Sequence, residues 1–322
     1  MRIRCIYPAT LFVLLVCCLM GCNLSVFDDL SDCPQGVNFQ FYRQTPCEQF
    51  PSYPSEIRQV RVFAFDDRNV LVGEFSDMKA VLSADYFLSA TFSYSGKLTF
   101  VAWGGNDLSA YDFTAFEKGV TTKQEMLVSL QLENKRISSA PGALYVGLAS
   151  AWLDSPEDSG SVYERVPISM HELTYRIHLT VESISAPFPN DEDFIVKIED
   201  DNGVYDFEGQ IVPCERFEYT AVATHDKEGR LKADFTLMKL DEGRNALLSV
   251  INRTTGKLLY RANLVEDIIM FREDSGEPPY SLECDHDFPI TLKLKYEKGT
   301  WVLTQATVLD WNVVYRPVDL EN

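Results

Sequence analysis

The run Val60-Arg61-Val62-Phe63-Ala64-Phe65-Asp66-Asp67-Arg68-Asn69-Val70-Leu71-Val72-Gly73-Glu74-Phe75 reads as two β-strands closed by a polar turn. Its apolar residues recur at close to period two, which suits a pleated strand and not a helix of period 3.6. β-Branched and aromatic residues fill both arms, and Asp66 to Asn69 supply the turn chemistry. The same grammar extends outward. Val37-Asn38-Phe39-Gln40-Phe41 alternates cleanly, residues 86–94 and 97–103 read as a pair across Ser95-Gly96, and residues 143–152 form an apolar strand. Leu108, Tyr111, Phe113 and Phe116 are spaced for a short helix or a loop.

The second half continues in strands, with candidates at 163–170, 173–184, 194–199, 205–211, 217–224, 231–239, 246–252, 257–262, 290–296 and 301–315. Turns at Asp201-Asn202-Gly203, Thr255-Gly256 and Lys298-Gly299 are expected to join neighbours. Residues 263–272 (NLVEDIIMFR) form the clearest helix pattern. Leu153 to Ser161 gathers Pro, Gly, Ser and acids and reads as a linker. This predicts an all-β chain of two antiparallel β-sandwich domains, 36–153 and 162–322, joined by 154–161, each burying its own core.

The chain has 322 residues, 46% of them hydrophobic, and a formal net charge of −19. That composition excludes a disordered chain, and the charge argues against nucleic acid as a partner. At the N-terminus, Arg2 and Arg4 precede the apolar run 6–19, which has the size of a signal-peptide core rather than a membrane span. It ends in Leu19-Met20-Gly21-Cys22, the pattern of a bacterial lipobox. Residues 1–21 are therefore expected to be a signal peptide, Cys22 the lipidation site, and 22–35 a tether to the membrane.

Cys5, Cys17 and Cys18 would leave with the signal, and Cys33, Cys47, Cys214 and Cys284 remain. Four cysteines in an exported chain read as disulfides with three possible pairings. The local pair Cys33–Cys47 is the expectation, with Cys214–Cys284 following by elimination. No spacing of cysteine and histidine marks a zinc site. The chain carries no phosphate loop, nucleophile elbow or HExxH, so no cofactor is expected and no catalytic machinery is visible. His178 reads as a solvent-face strand position, Trp103-Gly104-Gly105-Asn106-Asp107 as a strand end and turn, and Asp200-Asp201-Asn202-Gly203 as a turn lacking calcium-loop spacing.

The ordered set of segments resembles the anchor lipoproteins of Bacteroidetes type V fimbriae, of the minor-fimbrium anchor type. The carrying residues are the lipobox, Asp28-Asp29-Leu30-Ser31-Asp32-Cys33-Pro34, the strand Val60 to Asp66, Leu98-Thr99-Phe100-Val101-Ala102-Trp103-Gly104, Val166-Pro167-Ile168-Ser169-Met170 and Leu309-Asp310-Trp311-Asn312. The resemblance implies transthyretin-like sandwiches, outer-membrane attachment, no enzymatic activity, fimbrial shaft subunits as partners, joining by strand exchange and a limit on shaft length. It directs attention to the C-terminal segment, where Trp301, Trp311, Val313 and Tyr315 are the expected partner contacts. In the resembled family an arginine-specific protease releases the first strand of shaft subunits. Here no Lys or Arg lies between Arg4 and Arg43. A Cys33–Cys47 bond would also hold that strand across a cut at Arg43, so the first strand is expected to stay in place. The alternative is a surface glycan-binding lipoprotein, marked by exposed coplanar aromatics. A hydrolase would instead show carboxylates or histidines converging in a cleft.

Overall fold

A computed structural model describes residues 33–137, 140–154, 161–185, 187–188, 193–270, 281–309 and 311–314. Signal peptide, lipobox, Cys22, residues 155–160 of the expected linker, Phe271 and Arg272 of the expected helix and Tyr315 lie outside those residues. The first ten strands are β1 (Gln35–Tyr42), β2 (Gln59–Phe65), β3 (Leu71–Asp77), β4 (Leu88–Phe92), β5 (Gly96–Gly105), β6 (Tyr111–Phe113), β7 (Val128–Leu130), β8 (Leu144–Leu153), β9 (Tyr163–Ser169) and β10 (His171–Glu172). They form a three-stranded sheet, β4-β1-β9, facing a five-stranded sheet, β10-β8-β5-β2-β3. Val37, Phe39 and Phe41 from β1 meet Val60, Val62, Leu98 and Phe100 in a sealed core, with the Phe39 ring edge-on to Phe100 at 4.8 Å.

The next eleven strands are β11 (Thr174–Ser183), β12 (Phe194–Asp200), β13 (Val204–Tyr205), β14 (Phe217–Val222), β15 (Thr224–His225), β16 (Leu231–Met238), β17 (Leu247–Asn252), β18 (Leu258–Asn263), β19 (Asp287–Glu297), β20 (Thr300–Val308) and β21 (Trp311–Val314). A six-stranded sheet, β15-β16-β11-β19-β20-β21, and a four-stranded sheet, β14-β12-β17-β18, make the second sandwich. A small sheet, β13-β7-β6, takes one strand from the second half of the chain and two from the first.

That small sheet explains the opening hairpin. β2 pairs with β3 as expected, yet Val62, Phe63, Ala64 and Phe65 are all fully buried. Val62 and Ala64 face the first core, while Phe63 and Phe65 face a second one. A strand covered on both faces is apolar on both, which is why the alternation is imperfect there. The second core includes Trp103, Tyr111 and Met126 from the first half, Tyr205 from β13 and the whole second sandwich. The two halves therefore do not bury separate cores. The outer face of the first sandwich is floored by the second.

Three turns share one local mechanism. Asp66, Asp206 and Asp226 each accept the amides two and four residues on, at 2.9–3.0 Å. The residue three on is Asn69, Gly209 or Gly229, with φ of 63°, 72° and 76°. Aspartate replaces the missing backbone partner and a left-handed residue closes the turn.

Several sequence expectations change. The segments across Ser95-Gly96 do not pair with each other: β4 pairs with β1 and β5 with β2 and β8. The turn at Gly96 (φ 121°) carries the chain from one sheet to the other. Likewise Asp201-Asn202-Gly203 separates β12 from β13, which belong to different sheets. β9 and β10, placed beyond the linker by the boundary 154–161, pair with β1 and β8 of the first sandwich. The β9–β1 pair is parallel, so its connection must cross over, which a hairpin grammar does not reveal. The predicted helix at 263–272 is one π-helical stretch, Leu264–Ile269, capped by Asn263 Oδ1. Thr255-Gly256 and Lys298-Gly299 do close hairpins, β17–β18 and β19–β20.

Candidate anchoring edge and domain junction

The C-terminal edge is built by hairpins. β19 runs parallel to β11 and antiparallel to β20, and β21 closes the sheet at its margin. β21 pairs over four residues, with Val308 opposite Trp311 and Ala306 opposite Val313. Trp301 is half-buried. Its ring lies 5.1 Å from Phe188 and 5.2 Å from Tyr296 and packs against the second core. The exposed aromatic of that hairpin is Tyr296, with Lys257 Nζ over its face. Sequence reading missed Tyr296 because alternation does not say which face of an edge strand is covered.

At the other end of the first sandwich's opening strand lies a cross-link. Cys47 is bonded to Cys284, with Cα atoms 5.9 Å apart, while Cys33 and Cys214 are free. This corrects both expected pairings, Cys33–Cys47 and Cys214–Cys284. Cys33 and Cys47 lie on opposite sides of β1 in the chain, and the sulfur of Cys47 is taken by Cys284. Cys214 donates its thiol to the Asp201 carbonyl at 3.3 Å, and burial pushes the thiol pKa up. The observed bond also lies beyond Arg43, so it cannot hold β1 across a cut there. What holds β1 is pairing on both edges, to β4 and β9, and the full burial of Val37, Phe39 and Phe41.

Residues next to the bridge, Thr45 and Glu283, line a cavity of about 900 Å³ between the sandwiches. Arg43, Glu172, Tyr175, Lys239, Glu283 and His286 line it. Glu172 is buried and accepts from Arg176 at 2.6 Å and from Thr174 at 3.0 Å. His286 stacks on Tyr175 at 4.7 Å, and burial lowers its pKa, keeping the imidazole neutral at physiological pH. Carboxylates and a histidine do meet here, but Glu172 is already committed to a guanidinium. Tyr175, the aromatic among the lining residues, is 2% exposed and offers no face for a sugar ring.

The remaining sequence candidates resolve locally. His178 is exposed on β11, between Asp234 at 2.7 Å and Asp287 at 3.2 Å. Trp103 is fully buried with its indole N–H toward the Met126 sulfur at 3.4 Å, so it cannot meet a ligand at the surface. Asn202 is fully buried: its amide donates to the carbonyls of Met238 and Lys239, and its oxygen accepts from Tyr219. Tyr205 hydroxyl donates to the Asn202 carbonyl and accepts the Lys239 amide. This network fixes the turn from which β13 reaches across to β7.

The family model of the fimbrillin-A associated anchor proteins Mfa1 and Mfa2 matches residues 30–316. The chain belongs to this family. Among its relatives, the minor fimbrium anchoring subunit Mfa2 of Porphyromonas gingivalis is 28% identical over 309 residues, covering 94% of this chain and 92% of that protein. The crystal structure of the Porphyromonas gingivalis fimbrial anchor protein Mfa2 superposes with a TM-score of 0.76 over 88% of this chain and all of that one, at 28% identity. A proposed polysaccharide-binding protein of Bacteroides thetaiotaomicron shares the fold, with a TM-score of 0.71 and 18% identity over 88% of this chain and 99% of that one. Family membership bears out the resemblance and the sandwich class, and the family is one of fimbrial anchors rather than enzymes.

Proposed function

We propose that this chain is a non-catalytic anchor for a fimbrial shaft, held in the outer membrane by lipid on Cys22 and exposed at the cell surface. It engages the shaft subunit by strand exchange at its C-terminal edge and so ends and limits the fibre. The observation that carries this reading is the family match across both sandwiches, residues 30–316. The edge supports it physically. A marginal strand presents backbone donors and acceptors that another strand can pair with. β21 is short and outermost, so it can exchange without breaking a central pairing of the sheet. β1 is suited to the opposite role. It is the middle strand of its sheet, so its loss would open the first core and sever the link to the lipid. The first domain thus keeps β1 and offers no groove there.

The test is a pull-down of the tethered protein from intact cells. Shaft subunits should accompany the wild-type chain and be lost or depleted on deletion of residues 316–322, with circular dichroism and solubility unchanged. Full attachment in that truncation would remove the C-terminal edge from the mechanism. Failure of any shaft subunit to accompany the wild type would remove the anchor reading.

A further inference from the structure

Cys47 stands five residues after β1, and Cys284 stands three residues before β19. Their sequence separation is 237. β1 is the first strand of the fold, and β19 leads through one hairpin to β20 and then to the margin strand β21. The bond thus joins the element nearest the N-terminus to the element that starts the C-terminal edge. We infer that the Cys47–Cys284 bridge makes this protein a tension-bearing link whose covalent path bypasses the strands from β2 to β18. This rests on the reading that the membrane lies at the N-terminus and the shaft at the C-terminal edge.

The consequence follows from the topology. Without the bridge, a pull between the two ends runs in series through every strand from β2 to β18. Each hairpin along that route could be opened one hydrogen bond at a time, so the weakest would set the limit. With the bridge, the chain between Cys47 and Cys284 is a closed loop in parallel with a short path. Tension runs along β1, through residues 43–47, across one S–S bond, through 284–286, along β19 and on through the β19–β20 and β20–β21 hairpins, which remain in series. A strand pulled at both of its ends carries the load in its own backbone and does not shear its neighbours. β1 and β19 are both flanked on two sides, by β4 and β9 and by β11 and β20, which keeps them straight and in register under load. Cys33 is a free thiol and takes no part in the bond.

The experiment is single-molecule force spectroscopy on the full mature chain, tagged at the N-terminus in place of the lipid and at the C-terminus. In oxidised protein the extension released before detachment should stay within roughly 230 Å, the length of the residues outside the loop at about 3.5 Å each. Reducing agent, or the pair Cys47→Ala and Cys284→Ala, should add roughly 800 Å in further steps. Reduction of the wild type serves where the double variant does not fold. An 800 Å release from oxidised protein would overturn the inference. On cells, wild type and double variant should hold equal numbers of fibres at rest, and the variant should lose several-fold more under flow. Equal loss under flow overturns the inference and leaves the anchor reading intact. Absence of fibres on wild-type cells at rest overturns both.

Discussion

Asp200 is the group whose removal should stabilise this protein, and by an amount that depends on pH. It ends β12 with 2% exposure, its Oδ1 accepting the Asp201 amide at 2.8 Å. Burial pushes its pKa from 3.8 up to about 6, a rise that the Asp201 amide and Arg244 only partly oppose. A carboxyl whose folded pKa is raised holds its proton in the native state while the unfolded chain has lost it. Stability therefore falls as pH rises through the window from about 4 to 6, and the full cost is present above it. A shift of roughly two units corresponds to about 3 kcal/mol at pH 7.5 and about 1 kcal/mol at pH 4.5. Asp200→Asn keeps an oxygen for the Asp201 amide and removes the charge. Its new N–H groups add a penalty if unpaired, but that penalty does not vary with pH. Urea unfolding of wild type and variant from pH 4.5 to 7.5, followed by tryptophan fluorescence, should show the variant gaining about 2 kcal/mol on the wild type across the range. A difference that stays flat with pH would refute the reasoning.

Asn202→Ala should cost about 2–4 kcal/mol in the same assay, because the Met238 and Lys239 carbonyls lose their donor and Tyr219 its acceptor in a buried site. Gly147→Val should cost at least about 3 kcal/mol and lower soluble yield, since a Cβ there would sit 2.6 Å from both Ile168 Cγ2 and the Ser169 carbonyl oxygen. Non-reducing peptide mapping should recover Cys47 joined to Cys284, with Cys33 and Cys214 alkylated as free thiols. Cys22→Ala should yield unprocessed or soluble protein that takes up no labelled fatty acid.

The sequence alone determined the β class, the β2–β3 hairpin, the β17–β18 and β19–β20 turns and the exposed placement of His178. Those features are local: side-chain period, turn residues and a positive φ are set within a few positions of each other. It also singled out Cys47 and Cys284, but not that they are partners. Tertiary structure decided that pairing, because two sulfurs meet only where the fold brings their Cα atoms within about 6 Å, whatever their separation in sequence. It decided that β4 and β5 part company at Gly96 and that β9 returns to lie beside β1, since backbone hydrogen bonds are the same for every strand and carry no address. It packed one side of Trp301 on Phe188, where the alternation of a terminal strand left its face open. And it merged the second core with the outer face of the first sandwich, because an apolar face is buried by whatever sheet the chain lays over it, and that choice is made between segments more than a hundred residues apart.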